Sequence, residues 1–256
     1  MTTRSKSAVF RHIEDLQGAR PWGALLDAGT GVKSIRWVSG LETERWTAVT
    51  GASGDAQRVS DEVQEAKRPQ DQILVGNWAD GRLLKGDGYD TVLADYLLGA
   101  VEGFAPFFQP YLFARLRPLT RGVLYMIGVE PYVPADHPTS TADRLVWEIG
   151  RYRDACLLLT GGLPYREYPS RWVVDQLQRA AFKVGDVKRF PIRYKAHFVK
   201  TQIDLCRPGL ERLADRTLAD ALIARGEALR ADAIDVIKTE GALRSGYDYV
   251  VAAEPV

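Results

Sequence analysis

Residues able to do chemistry gather first in Leu25 to Gly31, LLDAGTG, where an apolar run ends in an acid and glycines follow at alternate positions. Gly29 and Gly31 permit positive φ and close approach of a ligand to the backbone, and a helix starting just beyond would offer unpaired N–H groups. A Cβ at Gly29 would enter the path of such a ligand. The pattern suits a nucleotide-like molecule. Asp27 adds a further condition, because a carboxylate accepts a hydrogen bond from a cationic amino group, which a pyrophosphate lacks. A dinucleotide fold asks for GxGxxG, and Ser34 stands where its third glycine belongs.

Other candidates follow later apolar runs. Asn77 offers an amide and Trp78 a face for stacking, directly after ILVG. Asp95 and Tyr96 follow TVLA, and Glu130, Tyr132 and His137 follow GVLYMIGV. Asp95 equally suits a helix cap. His137 lies in the proline-bracketed polar loop VPADHPTS, where an accessible imidazole can act as general base. His197 is close to Tyr194, and His12 belongs to an amino-terminal helical stretch. The aromatic runs GFAPFFQPY and PYREYPSRW suit either a pocket wall or core packing, and Arg144, Arg151 and Arg153 a solvated helix face.

The elements that must position these groups read as short strands alternating with helical periods. Strands are expected at Ala24 to Ala28, Trp46 to Val49, Gln72 to Val75, Thr91 to Ala94 and Gly122 to Val129. Helices are expected at Val32 to Leu41, Gly54 to Ala66 and Ala100 to Leu116. That alternation implies a mostly parallel sheet with helices on both faces. Further on, Thr139 to Leu159, Ser170 to Phe182 and Glu211 to Glu240 read as helices, and Val184 to Ile192 and Gly246 to Glu254 as strands. The whole chain, residues 1–256, reads as one domain, with an amino-terminal helix in 1–20 and a helical insertion at 194–244 placed to act as a lid.

In this order and spacing the chain resembles the class I S-adenosylmethionine-dependent methyltransferases, whose first motif is an apolar strand followed by an acid-x-Gly-x-Gly turn. The likeness covers roughly residues 20 to 135: LLDAGTG, then Val75-Gly76-Asn77-Trp78, YDTVLADYLLGAVE and GVLYMIGVEP. It implies a Rossmann-like, seven-stranded sheet ending in an antiparallel pair. It also implies S-adenosylmethionine as cofactor, S-adenosylhomocysteine as product, and a donor site of Asp27, Gly29, Gly31, Thr50, Asn77, Trp78 and Asp95. Asp95, Tyr96 and His137 would then surround the transferred methyl. One departure stands out: the family's second strand ends in a carboxylate that grips the ribose, whereas Trp46 to Val49 runs into Thr50-Gly51. Thr50 or the nearby Asp55 must substitute.

The 256 residues contain 34 Lys and Arg against 33 Asp and Glu, a net charge of +1, so no global field favours a polyanion. The Asn/Asp-Pro-Pro-Tyr/Phe run of base methylation on DNA is absent; ADYL stands there. A small-molecule acceptor is therefore preferred over a nucleic-acid or protein methyltransferase, a non-enzymatic nucleoside-binding protein, or a dinucleotide oxidoreductase. Cys156 and Cys206 show no metal-ligand spacing and read as buried thiols. Without an apolar leader or an 18-residue apolar window, the expected location is cytoplasmic, with no membrane partner. A homodimer is compatible with the sequence and not required by it.

Overall fold

The computed structural model describes residues 7–133 and 138–256. Its elements are α1 (Ala8–Gln17), β1 (Ala24–Asp27), α2 (Val32–Val38), β2 (Arg45–Thr50), α3 (Ser53–Glu62), β3 (Gln72–Val75), β4 (Tyr89–Asp95), α4 (Leu97–Ala100), α5 (Gln109–Leu116) and β5 (Thr120–Val129). Then come α6 (Thr141–Leu159), α7 (Ser170–Arg179), β6 (Phe182–Tyr194), α8 (Ala196–Asp204), α9 (Arg207–Glu211), α10 (Arg216–Glu240) and β7 (Leu243–Pro255). One seven-stranded sheet has the order β3-β2-β1-β4-β5-β7-β6. β1 to β5 pair in parallel, and β7 joins β5 antiparallel.

Two compact units divide the chain. The first, residues 1–129, 165–190 and 248–256, carries the sheet core. Side chains alternate across a strand, and the core obeys this rule. Leu26, Val92, Ala94, Leu124, Met126 and Val251 pack on one face with Leu97, Leu112, Phe113 and Val173 from α4, α5 and α7. Leu25, Leu93, Tyr125, Ile127 and Val250 pack on the other with Ile13, Ile35, Val38 and Val59 from α1, α2 and α3. Each central strand is apolar on both faces because helices cover both.

The second unit, residues 130–164 and 191–247, packs α6, α8, α9 and α10 around Leu145, Ile149, Val199, Ile203, Leu210 and Leu229. Cys156 and Cys206 are free, buried thiols of this core. Ser140 caps α6 by accepting from the Asp143 N–H, Asp215 caps α10 by accepting from the Leu218 N–H, and Gly241 ends α10 at φ 78°.

Three helical expectations are corrected. Ala100 to Leu116 is not one helix: a 3₁₀ turn at Val101–Gly103 and an irregular stretch with Phe107 at φ 66° separate α4 from α5. Pro106 and Pro110 remove backbone donors there, so a continuous ladder cannot form. The helix expected from Glu211 begins only at Arg216, because the Asp215 side chain caps it there by accepting from the Leu218 N–H, one of the unpaired donors of the first turn. Phe182, read as the end of a helix, opens β6.

Candidate functional site

At the carboxyl ends of β1, β2 and β3 lies a cleft of about 170 Å³, lined among others by Gly29, Thr30, Thr50, Asp55, Asn77 and Phe104. The β1 turn is held rigidly: the Ala28 N–H donates to Leu93 O at 2.8 Å and the Thr30 N–H to Val49 O at 2.9 Å. Ser34 closes the helix start, accepting from the Gly31 N–H at 3.0 Å and donating to Gly31 O at 3.1 Å. The serine that replaces the third glycine of a dinucleotide motif thus serves as an internal cap for α2.

The two glycines have different tasks. A Cβ at Gly29 would lie 2.8 Å from the Leu97 Cβ, whereas one at Gly31 would meet nothing within 4 Å. Gly29 is thus glycine because α4 presses on the turn: within the protein, the first obstacle to a Cβ there is Leu97. Gly31 leaves open space.

Asp27 is fully buried, and neither carboxylate oxygen has a hydrogen-bond partner. Burial pushes its pKa up to about 6, although Ser34, Thr30 and the Gly29 amide draw near enough to restrain the rise without completing a bond. The Thr30 hydroxyl, also sealed, has no partner either. Unsatisfied buried polar groups are costly and scarce in folded proteins. A buried carboxylate and hydroxyl beside an open glycine turn are a set of acceptors for a cation with N–H groups.

The other cleft residues are arranged as follows. Thr50 is buried at the end of β2, its carbonyl accepting from the Gly76 N–H. Asp55 lines the cleft but is ion-paired with Arg58. The Asn77 amide donates to Phe104 O at 2.6 Å and accepts from the Ala79 N–H at 2.9 Å, so the loop after β3 is tied to the segment after α4. Trp78 is 4% exposed and donates from Nε1 to Ala28 O at 2.8 Å. Its ring packs within the core beside α4 and α5, with Arg115 over one face, and it supports the β1 turn from behind. Phe104 and Tyr165, both exposed, add aromatic surface at the rim. Tyr165 had no single-residue signal in the sequence beyond its place in an aromatic run.

Asp95 ends β4, with its Oδ1 sealed and unpartnered. Burial, then repulsion from Asp27 and Asp248, pushes its pKa up to about 8 against the attraction of Lys33. Tyr96 follows at φ 48°, a left-handed conformation uncommon outside glycine, with its N–H donating to Ile127 O at 3.0 Å. Its hydroxyl hydrogen-bonds the Asp248 carboxylate. Asp248, the residue missed in the sequence, has its pKa pushed up to about 6 by burial, tempered by Tyr96 and Lys33. The structure therefore joins Asp27, Asp95 and Tyr96 into one neighbourhood and sets Thr50, Asn77 and Trp78 around the adjoining cleft. His137 lies outside the described residues. No cluster of three or more His, Cys, Asp or Glu able to hold a metal occurs among the described residues, and none of their helices is long and apolar enough to cross a membrane.

No protein-family model matches the chain, and no curated protein resembles it in sequence. Solved structures do resemble it in fold. A proposed methyltransferase of Bacillus halodurans C-125 aligns with TM-score 0.60 at 12% identity, covering 97% of this chain and 99% of that one. An S-adenosylmethionine-dependent methyltransferase of Geobacter sulfurreducens in complex with S-adenosylhomocysteine aligns with TM-score 0.53 at 12% identity, covering 100% and 95%. The [4+2]-cyclase SpnF aligns with TM-score 0.54 at 15% identity, covering 96% and 80%. Likeness of architecture at such identities speaks for the fold: the chain has the Rossmann-like α/β fold of the class I S-adenosylmethionine-dependent methyltransferases.

Proposed function

We propose that the chain is a methyltransferase that carries a methyl group from S-adenosylmethionine to a small-molecule acceptor at O, N or S. The observation that carries this reading is the fully buried, unpartnered Asp27 carboxylate beside the open turn at Gly31. A group bearing an ammonium satisfies it, and the amino-acid end of the donor is such a group. When bound, S-adenosylmethionine supplies a methyl carbon already activated by its sulfonium. Asp27 and the Thr30 hydroxyl hold its ammonium, Thr50 and backbone groups stand in for the missing ribose carboxylate, and the Asn77 edge meets the adenine. Trp78 acts from below, by fixing the β1 turn. The Geobacter sulfurreducens neighbour, solved with the demethylated product, supports the donor assignment at the level of fold.

Asp95 and Tyr96 orient the acceptor, because ligands of open α/β sheets collect at the carboxyl ends of the strands. His137 is retained as a candidate general base, to be judged by the turnover and pH profile of His137→Ala. Calorimetry with S-adenosylhomocysteine tests the donor site: Asp27→Asn should weaken binding by about 1.5 to 3 kcal/mol. Unchanged affinity in the folded variant refutes the assignment, as does tight binding of nicotinamide dinucleotides.

A second reading is that the fold binds the nucleoside without transferring methyl. It is favoured by the second strand ending in Thr50 instead of an acid. Release of S-adenosylhomocysteine in a screen of amines, phenols, thiols and carboxylates separates the two readings.

A further inference from the structure

Asp27 is the last residue of β1 and Asp95 the last of β4, while Asp248 pairs with Val129, the last of β5. The registers form an unbroken chain. Asp27 lies opposite Leu93, two residues before Asp95; Asp95 lies opposite Ile127, two residues before Val129; and Val129 lies opposite Asp248. Residues in register share a face, and so do residues two apart on a strand. All three carboxylates therefore leave the same face of the sheet at the same end. Asp95 and Asp248 flank the tip of β5, two strand spacings across and two residues along the strand direction, about 12 Å apart at the backbone.

We propose that Asp95 and Asp248, with the Tyr96 hydroxyl between the elements that carry them, bind the cationic amino group of the methyl acceptor, so that the substrate class is an alkylammonium compound. The first support is the sealed Asp95 Oδ1, which has no hydrogen-bond partner in the protein. The second is the charge count: Asp27, Asp95 and Asp248 interact there, and the cation that acts on Asp95 and Asp248 is Lys33, whose side chain is on the exposed start of α2. The third is Tyr96, held left-handed at φ 48° so that its phenol meets Asp248, a conformation that costs energy and recurs at ligand sites. A metal ion is a poor occupant, since these residues form no cluster able to hold one. An ammonium, with donors pointing several ways, can bridge acceptors spread over neighbouring strands.

This inference rests on the donor reading in one respect, that Asp27 is taken up by the donor's own ammonium. Burial and mutual repulsion leave Asp95 protonated at neutral pH, with a pKa of about 8. An arriving ammonium favours its ionised form and expels that proton.

The test uses the full chain saturated with S-adenosylhomocysteine, whose affinity is first measured by itself. Butylammonium is then titrated, with butanol and butyrate as neutral and anionic isosteres, following the backbone amide shifts of Tyr96 and Asp248 and the protons released into weakly buffered solution at pH 7. Butylammonium should bind about ten-fold or more tighter than butanol and release protons, and Asp248→Asn should remove most of that preference while leaving the S-adenosylhomocysteine affinity within about two-fold. Tyr96→Phe should weaken butylammonium less than Asp248→Asn does. Butylammonium no tighter than butanol, or as tight to a folded Asp248→Asn variant as to wild type, overturns the inference. Failure of S-adenosylhomocysteine to bind overturns the donor reading instead, and the ammonium titration is then judged on the unliganded chain by the same comparison.

Discussion

Asp71 and Asp95 are both carboxylates drawn out of water at an end of the parallel sheet, and the protein treats them in opposite ways. Asp71, just before β3 at the amino end, is buried and saturated. Its Oδ1 accepts from the Trp46 N–H at 3.0 Å and Arg68 Nη2 at 2.9 Å, and its Oδ2 from the Arg68 N–H and Nε, each at 2.9 Å. The same guanidinium donates to Thr43 O at 2.7 Å and Oγ1 at 2.8 Å. Burial alone would raise the Asp71 pKa, but these donors together bring it below the ordinary carboxylate value. Asp95, at the carboxyl end, has an orphaned oxygen, like-charged neighbours and a pKa moved the other way. One end of the sheet spends its polar contacts on holding the loops together. The other leaves acceptors unsatisfied, and a ligand is what would complete them.

The contrast is broken most directly at Asp71. Asp71→Ala strands the Arg68 guanidinium and the Trp46 amide, and should lower unfolding free energy by about 3 kcal/mol, read from urea denaturation. Because its folded pKa is depressed, the stability it contributes is complete above the unfolded value near 4 and disappears as pH falls through the folded value. A loss well under 1 kcal/mol would mean that the two ends do not differ in the way argued.

Asp95 should show the reverse sign. The folded state holds its proton more firmly than the unfolded state, so stability falls as pH rises from about 4 to about 8. Asp95→Asn should remove much of that slope and stabilise the unliganded protein at pH 8.5 by about 1 to 3 kcal/mol. Denaturation curves at pH 5.5 and 8.5 check this, and an unaltered slope in the variant counts against it. Donor binding has its own pH dependence: it should weaken below about pH 6, as Asp27 takes up a proton and ceases to attract an ammonium. Calorimetric titrations from pH 5 to 8 read it directly.

Smaller effects sharpen the picture. Trp78→Phe removes the indole donor to Ala28 O and should cost about 1 kcal/mol of stability. Its effect on donor affinity should be secondary, through the turn it supports; a loss of affinity with no loss of stability would return Trp78 to direct stacking. Asp55→Asn should change S-adenosylhomocysteine affinity by no more than about two-fold, because this side chain is already engaged with Arg58 at the cleft edge. A larger loss would make Asp55 the missing ribose carboxylate.

Much of the architecture is legible along the chain because its signals are local. LLDAGTG joins a buried strand to a glycine turn within seven residues, and the other central strands are short apolar runs of β-rich composition. Where local patterns compete, reading fails. The proline pair in GFAPFFQPY breaks a helix that apolar periodicity alone would continue, and Asp215 displaces a helix start that composition alone would put earlier. Thr50, Asn77 and Asp27 fall at strand ends and are found by counting from them. Asp248 sits in YDYVVAAE as an unremarkable polar residue opening a strand.

The sequence by itself determined which residues form strands, where the glycine turn lies and that an acid precedes it, because these depend on neighbours a few residues away. Only the tertiary structure decided that Leu97 is the reason for Gly29, that Trp78 faces the core, and that Asp248 shares a face with Asp95. The first two depend on packing between elements some 50 to 70 residues apart; the last depends on the register of β7 on β5, more than a hundred residues away, where a slip of one residue would turn Asp248 to the opposite face.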